Sequence, residues 1–159
     1  MYDNTLVLNK CKEAKSAVSV LASSSSFIRN KALEEIALSL EENCESILQE
    51  NKKDIDKAAE NGVKETMIDR LTLTRDRVFA IANSVRKLIA LPDVLGNGTV
   101  SVRPNGLKIT KVHVPLGTVG IIYEARPNVT ADAAAICIKT GNTVVLRGGK
   151  EAFNSNRKI

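Results

Sequence analysis

The chain has no tryptophan, and its aromatic residues together make up only 3% of it. An aliphatic core of Ile, Leu, Val and Ala must therefore carry the fold, and few rings are available for stacking nucleobases. No block of like charge runs beyond two or three residues, so the formal net charge of +5 is dispersed among acids rather than gathered in a patch. That dispersion sets aside a nucleic-acid partner and leaves a small acidic or phosphorylated molecule as the acidic partner to expect. No apolar run approaches the ~18 residues of a membrane span. The amino terminus, MYDNTLVLNKCKEAK, carries Asp3 and an apolar run of only three residues, which is not the pattern of a signal peptide. Three cysteines, an odd number at wide spacing, exclude a disulfide framework and a thiolate metal site. The expected setting is cytoplasmic and reducing. There is no internal repeat and no low-complexity segment.

What remains is ordinary for one globular domain with or without an appendage: 159 residues, 43% hydrophobic and 26% charged. Residues 6–21 read as one helix, with Leu6, Cys11, Ala14, Val18 and Leu21 roughly on one face. Ser25 or Ser26 can cap the next helix, which runs over about 27–42 with an apolar stripe of Leu33, Ile36, Ala37 and Leu40. The helical pattern resumes with Ile47, Leu48 and Ile55 and closes at Asn61-Gly62; residues 65–71 form a short helical turn. Thr74 is an N-cap with Asp76 in the first turn, followed by a stripe of Val78, Ile81, Ala82, Val85, Leu88 and Ile89 that Pro92 stops. Val100 and Val102, then Leu107 and Ile109, alternate with polar residues around Asn105-Gly106, which is a hairpin signal.

The rest of the chain is organised around residues 114–150, VPLGTVGIIYEARPNVTADAAAICIKTGNTVVLRGGK. Two β-branched runs, 118–123 and 143–146, flank an Ala-rich amphipathic stretch over 130–140, and Gly141 stands where a helix end wants a left-handed residue. Strand, helix, strand over about thirty residues is a βαβ unit and implies a parallel sheet. Ligands in open α/β sheets bind at the carboxyl ends of the strands. The two loops there, Glu124 to Asn128 and Arg147 to Lys150, are thus the expected functional segments. Arg147-Gly-Gly-Lys150 is not a Walker loop, because the required glycine-to-lysine spacing is absent. A crossover helix should begin near Asn154, yet no third strand follows, so the sequence is expected to be a fragment of a larger protein.

The stretch from VPLGTVG through YEARPN to LRGGKEA, together with IDRLTLTRDRV and LPDVLG, resembles the γ-glutamyl phosphate reductase family (glutamate-5-semialdehyde dehydrogenases of the aldehyde dehydrogenase superfamily) over nearly the whole chain. The fold expected is α/β: a helical N-terminal region, a β-hairpin, then the start of a Rossmann-like parallel sheet, aldehyde dehydrogenase-like and incomplete. In domain terms, 1–98 is the helical part of the cofactor-binding domain, 99–114 the hairpin of an oligomerisation element, and 115–159 the βαβ start of the NADPH-binding sheet. The resemblance implies NADPH-dependent reduction of γ-glutamyl phosphate to glutamate 5-semialdehyde in proline biosynthesis, with release of phosphate. The family's catalytic cysteine lies downstream of the matched region, so this chain alone should be inactive. The competing reading is a non-catalytic nucleotide-binding or assembly module.

The resemblance also implies roles for residues. Asn128 is the oxyanion donor to a cysteine adduct, with Arg126 as an alternative occupant of that place and a plain helix N-cap as the alternative role for Asn128. Arg126 contacts an acidic or phosphorylated substrate bidentately, or is an exposed loop charge; Glu124 has a weaker claim. In the superfamily a Lys after the second strand and a Glu three residues on face the adenosine ribose. Arg147 and Lys150 stand there, and two cations favour the 2′-phosphate of NADP over NAD, with Gly148-Gly149 allowing close backbone approach. The alternative is a glycine-rich tight turn with solvated charges. Cys11, Cys44 and Cys137 read as small buried hydrophobes rather than nucleophiles. His113, on a strand without an acid or nucleophile partner, reads as structural. In the superfamily a hairpin from this region belongs to the oligomerisation element, and an unpaired edge is an association hazard, so the resemblance implies a homo-oligomer; the alternative is a hairpin packed only on its own domain.

Overall fold

In the computed structural model the described residues are 4–124 and 126–159. Asp3, used above in reading the amino terminus, and Ala125 of the first strand-end loop lie outside them. Helices α1 (Thr5–Ser16), α2 (Val18–Ser23), α3 (Ser26–Glu42), α4 (Cys44–Glu60), α5 (Glu65–Leu71) and α6 (Arg75–Ala90) come first. The hairpin strands β1 (Gly98–Val102) and β2 (Lys108–Val112) follow. Then come β3 (Thr118–Ile122), α7 (Asn128–Lys139), β4 (Thr143–Arg147), a 3-10 turn at Lys150–Ala152, and α8 (Phe153–Lys158).

The expected α/β architecture is present, and local chemistry accounts for its elements. Ser25 Oγ accepts the Ile28 N–H at 3.3 Å and starts α3; Thr74 Oγ1 accepts the Arg77 N–H at 3.2 Å and starts α6. The stripes meet as their spacing requires. Leu33, Ala37 and Leu40 of α3, Ile47 of α4, Val78, Ile81, Ala82 and Val85 of α6, and Ala131 and Ala135 of α7 form one buried cluster. The alanines let α7 come close to α3 and α6, so the βαβ unit is fastened to the helical region through its crossover helix.

Strands β3 and β4 pair in parallel, Thr118 opposite Thr143 and Ile122 opposite Arg147. Their starts are tied by Thr118 and Thr143, whose hydroxyls lie 2.9 Å apart, and by Asn142 Oδ1, which accepts the Gly117 N–H at 2.9 Å. Gly141 ends α7 with φ +71°, the left-handed region that favours glycine, and a Cβ there would also crowd Leu95 Cδ1 at 2.8 Å. The hairpin turn is a type I turn with a glycine bulge. Arg103 N–H reaches Leu107 O, Gly106 N–H reaches Arg103 O, and Gly106 has φ +84°. Every residue of β1 and β2 is exposed.

Three expectations are corrected. The helix over 6–21 is divided at Ala17, whose N–H is shared between Glu13 O and Ala14 O at 3.3 Å each. Neither α1 nor α2 buries a residue completely, so no core packing opposes that tightened turn. For the same reason Cys11 is exposed, whereas Cys44 and Cys137 are buried as expected. His113 lies just past β2 rather than on it; its Nδ1 is 2.8 Å from Asn97 O, at the base of the hairpin.

Helix α8 is seated by polar rather than apolar groups. Buried Asp54 of α4 accepts four hydrogen bonds: Asn154 N–H at 3.1 Å, Asn154 Nδ2 at 2.8 Å, Ser155 N–H at 2.8 Å and Ser155 Oγ at 2.6 Å. Asn51, one turn earlier and also buried, donates to Leu71 O and Ser155 Oγ and accepts the Leu73 N–H, all within 2.8–2.9 Å. These two side chains join α4, α5, the link before α6 and α8 at one point. No helix among the described residues is long and apolar enough to cross a membrane.

Candidate functional site

Both loops at the carboxyl ends of β3 and β4 are held from below. Tyr123 N–H donates to Arg147 O at 3.1 Å, continuing the parallel ladder one residue past the strand. Thr130 Oγ1 donates its one proton to Asn156 Oδ1 at 3.0 Å, so the Tyr123 hydroxyl, 2.6 Å away, is the donor to Thr130. That bond closes the segment carrying Arg126 and Asn128 on itself, and Asn156 ties it to α8.

The first loop enters α7 through buried Pro127, which has helical dihedrals and no capping side chain. Asn128 is therefore the first helical residue, and the N-cap role weighed for it does not occur. Its Nδ2 instead donates to Asp132 Oδ2, one turn on, at 3.1 Å. Arg126 is exposed. Arg126, Asn128 and Asp132 line a cleft of about 350 Å³, closed on its other side by Asp69 and Arg70 of α5 and by Arg77 and Ser84 of α6. Three guanidinium groups and two carboxylates thus face one space. Arg77 is committed to the wall: its Nη1 donates to Asp69 O and Thr72 O at 2.7 Å each, and its Nη2 pairs with Asp69 Oδ1 at 3.0 Å. Arg70 and Arg126 have no carboxylate partner among the described residues. The sequence reading named Arg126 and Asn128 but missed Arg70, Arg77, Ser84 and Asp132. The four-residue step from Asn128 to Asp132 was visible on a helix; the approach of α5 and α6 was not.

The second loop is arranged differently. Arg147 is exposed at the end of β4. At Gly148 a Cβ would fall 2.1 Å from Asn156 Nδ2 and 3.2 Å from Tyr123 Cζ, so the space beside this glycine is filled by the side chains that hold the first loop. Gly149 has an extended backbone with φ −64° that any residue can adopt. Lys150 opens the 3-10 turn and lines a second cleft of about 510 Å³, shared with Lys57, Asn61, Asp54 and Glu151. The structure therefore brings Arg126 and Asn128 together but puts Lys150 in a separate recess. Gly148→Ala is expected to displace Asn156, break its bond with Thr130 and cost about 1–2 kcal/mol. Urea denaturation would read this as a lower midpoint at unchanged slope.

None of the cysteines lines the first cleft. Burial pushes the thiols of Cys44 and Cys137 up, away from the thiolate a nucleophile requires. Cys11 lines a different cleft, with Lys15, Val18 and Thr118. Among the described residues no group of three or more His, Cys, Asp or Glu side chains could hold a metal ion.

No family model matches the chain. Curated relatives do. A γ-glutamyl phosphate reductase of Clostridium perfringens (strain SM101 / Type A) is 55% identical over 158 residues, covering 99% of this chain and 38% of that protein. The γ-glutamyl phosphate reductase of Carboxydothermus hydrogenoformans is 55% identical over 151 residues, covering 94% of this chain and 36% of that protein. Among solved structures, the γ-glutamyl phosphate reductase of Thermotoga maritima superposes with a TM-score of 0.92 at 42% identity, over 95% of this chain and 37% of its own. The enzyme of the same name from Saccharomyces cerevisiae gives 0.88 at 32% identity, over 92% and 38%. The chain thus spans somewhat over a third of the length of the proteins it matches.

Proposed function

We infer that this chain belongs to the γ-glutamyl phosphate reductase family and is part of the cofactor-binding half of such an enzyme. The whole protein then reduces γ-glutamyl phosphate to glutamate 5-semialdehyde with release of phosphate, in proline biosynthesis in the cytoplasm. The observation that carries this reading is the pair of strand-end loops: Arg126 and Asn128 after β3 line a charged cleft, and cations without a carboxylate partner among the described residues follow β4.

NADPH, when bound, supplies the hydride. The cations after β4 fit its extra phosphate. Neither Arg147 nor Lys150 has a carboxylate partner among the described residues; Lys150 shares its recess with Lys57 and with the carboxylates of Glu151 and of Asp54, the latter already accepting four hydrogen bonds. Arg147 and Lys150 hold the 2′-phosphate. On the other loop, Arg126 binds the anionic substrate. The second N–H of the Asn128 amide, the first being given to Asp132, donates to the oxygen on which negative charge develops. The nucleophilic cysteine comes from outside these 159 residues, in keeping with the buried thiols of Cys44 and Cys137 and the position of Cys11 away from the cleft.

The domain roles follow: 1–98 as the helical wall of the cofactor-binding domain, 99–114 as an oligomerisation hairpin, 115–159 as the start of the nucleotide-binding sheet. Exposed Val100, Val102 and Val112 on the hairpin suit pairing with a second subunit. The same exposure is what favours the other reading, an assembly module without catalysis. Calorimetric titration of the 159-residue chain with NADPH and with NADH separates them. Selective binding of NADPH, weakened by replacing Arg147 and Lys150 with alanine, supports the reductase reading; equal or absent binding of both removes the cofactor assignment.

A further inference from the structure

We propose that the cleft between α5, α6 and α7 holds the amino-acid end of the substrate, its α-carboxylate and α-ammonium, and not its phosphate. Arg70 and Arg126 take the carboxylate and Asp132 takes the ammonium. This rests on the reductase reading and assigns the substrate's two ends within it.

The charges of the cleft select the ligand. Arg77 and Asp69 neutralise each other and are fixed in the wall by the two carbonyls that Arg77 also holds. Three charged groups remain: the guanidinium groups of Arg70 and Arg126 and the carboxylate of Asp132. Arg70 lies against Met67 Sδ at 4.0 Å and has no carboxylate partner among the described residues, so its fork is available for a bidentate contact. Asp132 receives a single amide N–H from Asn128, and a carboxylate accepts about four hydrogen bonds, so it retains capacity for an ammonium group. A phosphate carrying two negative charges would share the cleft with the uncompensated carboxylate of Asp132, and like charges repel. A carboxylate and an ammonium on one carbon meet the opposite sign in both cases. Asn128 lines the same cleft at the first residue of α7 and is bonded to Asp132, so the acyl end of the glutamyl chain is assigned to its side.

Arg70 is thereby a specificity residue, on a helix that the strand-end reasoning did not reach. Its neighbour Met67 and its exposed side chain leave it no structural duty in the fold, so Arg70→Gln is expected to fold normally.

The test is an NMR titration of the isotopically labelled 159-residue chain with L-glutamate, with glutarate, which lacks the ammonium, and with inorganic phosphate. L-glutamate is expected to shift the guanidinium signals of Arg70 and Arg126 with a Kd near the millimolar range, roughly 10-fold tighter than glutarate. Phosphate at the same concentrations should leave those signals in place. Asp132→Asn should erase the preference for glutamate while retaining glutarate binding, and Arg70→Gln should weaken both alike. Equal binding of glutarate and glutamate, displacement of glutamate by phosphate, or no shift with glutamate would each overturn the assignment. A parallel NADPH titration keeps the two levels apart. Retained NADPH selectivity with glutamate failing removes only the cleft assignment; lost NADPH selectivity with glutamate bound removes the cofactor assignment and leaves the cleft assignment in place.

Discussion

Asp54→Ala is expected to destabilise the chain by about 3–4 kcal/mol. Its carboxylate is buried and accepts four hydrogen bonds, two from backbone N–H groups at the start of α8 and two from the side chains of Asn154 and Ser155. Alanine leaves those donors with nothing to replace it, and the two backbone donors are fixed in place by the helix. Stranded buried donors cost more than the net worth of the bonds they lost. Asp54→Asn keeps one acceptor oxygen but turns an N–H toward a donor, so a smaller loss of about 1–2 kcal/mol is expected. Urea denaturation of the two variants checks this order. Loss of the α8 seat should also free Asn156 and, through Thr130, the loop that carries Arg126 and Asn128. Amide exchange at Thr130 and Asn156 should accelerate in the Asp54 variants and remain slow in the α3–α6 core.

Asn128→Ala is expected to lower kcat by about 10²- to 10³-fold, roughly 3–4 kcal/mol of transition-state stabilisation, in a full-length reductase carrying this chain. KM for the acyl substrate should change little, because the contact exists only once charge has developed on the acyl oxygen. Arg126, the other occupant considered for the same place, precedes buried Pro127 and is exposed at the cleft; on the proposed reading its removal is expected to act on ground-state binding and to appear mainly in KM. Should the large kcat loss fall on Arg126→Ala instead, the two assignments exchange.

Much of this architecture could be read before any coordinates. Ser25 and Thr74 announce α3 and α6, because capping is a contact over three residues. The period of Val78, Ile81, Ala82 and Val85 gives the buried face of α6, and Asn105-Gly106 gives the hairpin turn. Gly141 between an alanine-rich helix and a β-branched run gives the crossover. All of these depend on neighbours in sequence. What escaped depends on distant partners. Asp54 and Ser155 stand 101 residues apart, and nothing in either stretch announces the other. Asp132 was legible one helical turn from Asn128, but Arg70 and Arg77 join the cleft only because α5 and α6 pack across from α7. Gly148 was read as clearance for a ligand, whereas the space beside it is taken by Asn156 and Tyr123. The division at Ala17 and the exposure of Cys11 share one cause: a helical period says which face is apolar, and not whether anything covers it.

The central claim is a division of labour between the two strand-end loops, substrate at the loop after β3 and cofactor at the loop after β4. A crossed kinetic comparison in the full-length reductase tests it most directly, with Arg126→Ala on one side and the Arg147→Ala, Lys150→Ala double variant on the other. Loss of charge-assisted contacts worth about 1.5–3 kcal/mol should raise KM roughly 10- to 100-fold. For Arg126→Ala that rise should appear for the glutamyl substrate alone, and for the double variant for the NADP cofactor alone. Parallel rises in both KM values for either variant, or a cofactor effect of Arg126→Ala, would contradict the account.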